Sequence, residues 1–158
     1  MKTSDSISIR SRYERIFEIA AAVEEWGEIL PHYRYVRIIK GNKTRRLVRM
    51  SAWRDFIPVT WSAIETIYQG TEQNPGRITF HHVRGLVKGM DVEWSFRPDS
   101  ARRGVVVTIS HTLENPTFPV RLLGKRLTEA IVGRGFIGNI AGKTLRRVKM
   151  LAEAEEGI

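Results

Sequence analysis

The chain has 158 residues, no cysteine, and 26 basic against 17 acidic side chains, for a formal net charge of +9. That length suits a single domain spanning 1–158 that buries roughly two thirds of its unfolded surface, and the lack of cysteine excludes a disulfide framework and a thiolate zinc site. No apolar run approaches the roughly 18 residues of a membrane span, and the polar start MKTSDSISIRSR lacks a signal-peptide core, so a cytoplasmic location is expected.

In DSISIR, residues 5–10, Ile7 and Ile9 alternate with polar residues as in a half-buried strand. Ser11 followed by Glu14 reads as a capping box, and Ile16, Phe17, Ala20 and Val23 recur at helical spacing. The spacing predicts a short helix, broken near Gly27 and ended before Pro31. From Tyr33 the chain becomes strand-like: YVRII at 35–39, a turn at Gly41-Asn42-Lys43, and TRRLVRMSAW at 44–53 form a predicted hairpin. Further strands are predicted after Pro58 at 59–68, at 77–83 after the turn Gln73-Asn74-Pro75-Gly76, at 90–96, and at 104–113 after Pro98-Asp99-Ser100.

Seven strands, six of them consecutive, point to one antiparallel sheet. After Pro116 and Pro119 the period changes. Leu123, Leu127, Ala130 and Ile131 define one helical face, and Ile137, Ile140, Ala141, Thr144, Val148 and Leu151 a second, with Gly133, Gly135 and Gly138 predicting a kink at 133–138. The closing AEAEEGI reads as a fraying helix end.

Alternation assigns inward faces: Trp61, Ala63, Glu65 and Ile67; Ile78, Phe80 and His82; Met90, Val92, Trp94 and Phe96; Val105, Val107, Ile109 and His111. A sheet curved over a single helix leaves a void, and these side chains make it an aromatic and aliphatic chamber with a few polar groups. Glu65, if inward and dry, needs a cation or a raised pKa; a one-residue slip would turn it to solvent. His82 and His111 read first as satisfied core histidines, and His32 as an exposed one. The four histidines show no ligand spacing, so no metal and no other cofactor is expected.

Three features carry a family resemblance: Trp26 opening a helix-to-strand segment, Tyr33 seven residues later, and the stretch Gly85, Met90, Trp94, Phe96 in the pattern G-x-x-x-x-M-x-x-x-W-x-aromatic. With the order of elements, they resemble the SRPBCC (START-like, helix-grip) superfamily, nearest its polyketide cyclase/dehydrase, aromatase/cyclase-like branch. The resemblance implies an α+β helix-grip fold: a seven-stranded curved antiparallel sheet around a long C-terminal helix, with short helices between the first two strands. It also implies an internal ligand cavity, here lined by Trp26, Trp61, Ala63, Ile67, Phe80, Met90, Val92, Trp94, Phe96, His111, Leu127 and Ile131. In such enzymes an arginine from the strand matching 59–69 and an entry tyrosine orient and deprotonate a poly-β-ketone for aldol cyclisation and dehydration. Here Tyr33 is kept, but that strand offers Glu65 and Ile67 at inward positions and no arginine.

The functions in view are therefore binding of a hydrophobic small molecule (a lipid, an isoprenoid or an aromatic polyketide-like compound) and cyclase/dehydratase chemistry with Tyr33, Glu65 and His82 as candidate catalytic groups. The positive charge suits an acidic acyl carrier protein or an anionic membrane surface as partner. Lys143, Arg146 and Arg147 share a helical face and raise ribosome or nucleic-acid association as a third function. No basic strand interleaved with aromatics supports it.

Overall fold

A computed structural model describes residues 1–54, 56–114 and 137–155. Its strands are β1 (Lys2–Ile9), β2 (Tyr33–Gly41), β3 (Arg45–Arg54), β4 (Ile57–Tyr68), β5 (Arg77–Gly85), β6 (Asp91–Asp99) and β7 (Gly104–Thr112). Between β1 and β2 lie α1 (Tyr13–Ala21), a 3-10 turn (Val23–Glu25) and α2 (Trp26–Ile29), and the chain closes with α3 (Gly138–Glu155). The strands form one antiparallel sheet in the order β1-β7-β6-β5-β4-β3-β2. Consecutive β1 and β2 thus occupy opposite edges, and α1 and α2 carry the chain across the face between them.

The inward faces are those that alternation assigns. Trp61, Ala63, Glu65, Ile67, Ile78, Phe80, His82, Val92, Trp94, Phe96, Val105, Val107, Ile109 and His111 are all buried, as is Met90 just before β6. Opposite them α3 buries Ala141, Thr144 and Val148 of the predicted face, with Leu145 and Ala152 beside them, while Ile140 and Leu151 are half-buried. Two long polar side chains tie this helix to the rest: Lys149 Nζ donates to the Ser8 carbonyl at 2.9 Å and Arg147 Nε to that of Ile29 at 2.8 Å. Leu127, Ile131, the first half of the predicted terminal helix and most of the predicted kink lie outside the described residues, as do the last three positions. Among the described residues no helix is long and apolar enough to cross a membrane.

Several boundaries differ from the sequence reading. Helix α1 starts later than the Ser11–Glu14 box requires: its N-cap is Arg12, with no side-chain cap bond. Burial decides the frame, because Tyr13, Ile16, Phe17 and Ala20 all reach the core, and the Tyr13 hydroxyl accepts a bond from the Gly76 backbone N–H at 2.8 Å. Strands β4 and β6 run through Pro58 and Pro98, read in sequence as strand limits. Each proline is tolerated because it pairs on one side only, Pro58 with Trp53 and Pro98 with Val105, beyond the ends of the β4–β5 and β5–β6 ladders.

Gly85 ends β5 at φ +103°, and a Cβ there would stand 2.8 Å from the Thr60 carbonyl oxygen and 2.9 Å from Trp61 Cβ. Beyond it, Lys88 N–H donates to Gly85 O and Gly89 N–H to His82 O at 2.8 Å, folding Val87 into the core. This turn sets Met90 and the following strand in register. Gly85→Ala is therefore expected to cost on the order of 1–3 kcal/mol; urea denaturation showing unchanged stability would contradict that.

Candidate functional site

The concave face and α3 enclose a small chamber. Among the described residues it is lined by Trp26 and Tyr33 from the entry segment, Met50, Trp61, Phe80, His82, Met90, Val92, Trp94, Ile109 and His111 from the sheet, and Ile137, Ile140, Ala141 and Thr144 from the α3 region. Its volume is about 60 Å³. The walls are aromatic and interlocked. Trp26 stands 5.6 Å from Tyr33, 5.8 Å from Phe80 and 5.6 Å from Trp94, ring centre to ring centre, and its Nε1 donates to the Ile19 carbonyl at 3.3 Å. Trp61 lies between Tyr33, at 6.1 Å, and His82, which it stacks upon at 6.0 Å and 15°.

Nine of the predicted lining or catalytic residues meet here: Trp26, Tyr33, Trp61, Phe80, His82, Met90, Val92, Trp94 and His111. Ala63, Ile67 and Phe96 face the same way and are buried, but pack outside the chamber wall. Phe96 instead joins Phe17 and Tyr13, at 5.2 and 5.9 Å, beneath α1. Met50 was legible in the alternation of Val48, Met50 and Ala52 but was not singled out.

Glu65 is inward and fully buried, yet it does not line the chamber. Its carboxylate accepts from Arg46 Nε at 2.5 Å, across the register pair Arg46–Glu65 of β3 and β4. Arg46 Nη2 also donates to the Ala21 carbonyl at 2.6 Å, and Nη1 lies 3.4 Å from Glu24. Of the two alternatives that a dry Glu65 faced, the structure shows both. It has its cation, and burial still holds its pKa above the usual carboxylate value against the opposing pull of Arg46. The pair links the sheet to the end of α1 and leaves no free carboxylate facing the chamber from β4.

The chamber's titratable groups are held neutral by desolvation. Burial pushes His82 down to about 3, assisted by His111 and His81, and His111 down to about 4. Burial likewise raises the Tyr33 hydroxyl above its ordinary value. His32 is not the exposed histidine that its place after Pro31 suggests. It is 9 % exposed, its Nε2 lies 2.9 Å from Thr144 Oγ1, and burial with the nearby Lys143 charge lowers it to about 4. The α3 face covers it, and that contact spans 112 residues of sequence.

The basic surface also departs from the linear reading. Arg147 is committed to Ile29, leaving Lys143 and Arg146 exposed on α3. Arg37 of β2 stacks over Tyr35 of the same strand at 4.7 Å, and Arg34 of β2 over Trp53 of β3 at 5.0 Å, a basic and aromatic surface that the two strands complete together. Each ring there is stacked by one of the protein's own guanidinium groups, while Trp53 stays 44 % exposed.

Known structures share this architecture. The di-domain ARO/CYC StfQ from the steffimycin biosynthetic pathway aligns with TM-score 0.80 and 18 % identity over 99 % of this chain, which spans about half, 52 %, of StfQ. The aromatase/cyclase Zhui from a Streptomyces species aligns at TM-score 0.71 and 17 % identity, over 97 % of this chain and 93 % of that one. A START superfamily protein from Mycobacterium smegmatis aligns at 0.68 and 14 %, over 95 % and 98 %. These likenesses show the helix-grip fold. No curated protein sequence matches the chain. The model for polyketide cyclase / dehydrase and lipid transport proteins matches residues 12–134, most of the length and all of the sheet except β1, and the chain belongs to that family.

Proposed function

We propose that the protein binds an apolar, ring-bearing small molecule in the chamber between the sheet and α3. The observation that carries this reading is the wall itself: three tryptophans, Phe80, Tyr33 and two methionines converge on one internal space together with two uncharged histidines. Rings offer stacking surface, and methionine adapts to irregular shapes. At about 60 Å³ the space is well below the roughly 300–1,000 Å³ of pockets for drug-sized ligands, so entry requires side chains such as Met50, Met90 and Ile140 to shift. The net charge of +9 suits delivery from an acidic acyl carrier protein or an anionic membrane surface.

Cyclase or dehydratase action on a carrier-bound poly-β-ketone is the second reading, supported by the family and by Tyr33 and His82 facing one chamber. In it the chamber would act mainly by folding a flexible chain so that a methylene meets a carbonyl. Its groups are poor bases at neutral pH, since a His82 near 3 holds a proton weakly and Tyr33 releases one reluctantly. That balance favours binding over proton abstraction.

The test is native mass spectrometry of freshly purified protein with organic extraction, followed by titration of the extracted protein with a graded set of apolar aromatics, read by tryptophan fluorescence. Trp26, Trp61 and Trp94 line the chamber, so occupancy is expected to change the emission. A protein that purifies empty and shows no saturable change with any probe would refute the reading.

A further inference from the structure

His82 on β5 and His111 on β7 are 5 % and 8 % exposed, and both line the chamber. Each holds a buried Nδ1 atom with no hydrogen-bond partner among the described residues. Unpaired buried polar atoms carry the full desolvation penalty of the group, so a fold that keeps two of them on residues lining one apolar chamber leaves hydrogen-bonding capacity for something else. The two rings flank one stretch of β6: Val92 is the register partner of His111, and His82 N–H donates to the Met90 carbonyl at 2.9 Å. His82 also feels the charge state of His111, as neighbours across that stretch must.

The chemistry of the wall narrows what these groups would take. Among the described residues the lining holds no lysine, arginine, aspartate or glutamate. Among those residues a buried anion would find no counter-charge, and a cation no carboxylate. A neutral imidazole presents one donor and one acceptor, which matches an uncharged oxygen. We propose that His82 and His111 form a polar subsite for a neutral oxygen function, a phenolic hydroxyl or a ring carbonyl, on an otherwise apolar aromatic ligand. This rests on the binding reading above and gives it a substrate class: it excludes simple hydrocarbons and free carboxylates as preferred occupants.

The experiment is equilibrium dialysis of the intact protein at pH 7.5 against 1-naphthol, 1-tetralone, naphthalene and 1-naphthoate. Naphthol and tetralone separate hydroxyl from carbonyl recognition on nearly the same frame. At least one of them is expected to bind about ten-fold more tightly than naphthalene, the usual scale of one hydrogen bond, and more tightly than naphthoate. In His82→Phe and His111→Phe that preference should collapse towards unity while naphthalene still binds. Should either variant fail to fold, the imidazole 15N shifts of the wild-type protein give the same answer: they should move on adding naphthol or tetralone and stay with naphthalene. Equal affinity for the neutral probes, or naphthoate as the tightest, would overturn the polar subsite and leave the binding reading standing. No binding of any probe would remove both.

Discussion

Acidification from pH 7 to 5 is expected to remove on the order of 5 kcal/mol of folding stability, enough to unfold a protein of ordinary stability near the lower end of that range. The cause is three buried imidazoles. His32, His82 and His111 are held down to about 4, 3 and 4 in the fold, against an ordinary 6.5 once unfolded. Below pH 6.5 the unfolded chain takes up protons that the folded one refuses, so stability is complete above that value and falls as pH drops towards the folded pKa values. Each refused proton is worth about 1.4 kcal/mol per pH unit, so three give about 4. Glu65 acts the other way: its raised pKa makes its ionised form a cost, which protonation relieves at and above its ordinary value. Asp99 and Glu153, held low by hydrogen bonds and cationic neighbours, add their losses only at lower pH. Urea denaturation at half-unit pH steps measures the slope, and His111→Phe should lower it by about a third. A stability that is level between pH 7 and 5 would show that these histidines are not buried as described.

The sheet was open to reading from sequence because its signal is local. A period of two in segments such as VEWSF and VVVTISH names the inward face wherever one side of a strand is buried, and the faces so assigned are the buried ones. The aromatic wall followed from the same alternation, since Trp61, Phe80, Trp94 and His111 each sit in phase with the apolar residues of their strands. What stayed hidden depends on contacts between distant segments. Arg46 carries no linear sign that it will meet Glu65, because the partnership is created by the β3–β4 register, and its bond to Ala21 by the arrival of α1. His32 looked exposed for the same reason: the helix that buries it lies more than a hundred residues on. The stacking of Arg34 on Trp53 is likewise a product of pairing between strands.

Removing Arg46 is expected to be among the most damaging single changes in the protein. Arg46→Met keeps length and apolar bulk but leaves Glu65, with no exposed side-chain surface, without its cation. The Ala21 carbonyl loses a donor as well. Breaking a buried pair from one side costs about 3–5 kcal/mol, because the stranded charge must be desolvated or protonated. Glu65 would choose protonation, so the variant should be more stable at pH 5 relative to wild type than at pH 8, the sign expected of a carboxyl whose folded pKa has risen further. Replacing both partners separates a stranded charge from a general packing loss. Arg46→Met with Glu65→Leu removes the pair entirely, and well-packed apolar replacements of buried ion pairs are often neutral or stabilising. The double variant should therefore recover most of the loss, a coupling of about 2 kcal/mol or more in the mutant cycle. Additive losses in the cycle would mean that Arg46 acts through Ala21 and packing alone, and that Glu65 does not depend on it. Because the pair sits behind the wall and not in it, the double variant should keep whatever binding of the proposed aromatic ligand the wild type shows, which divides what holds the fold from what lines the chamber.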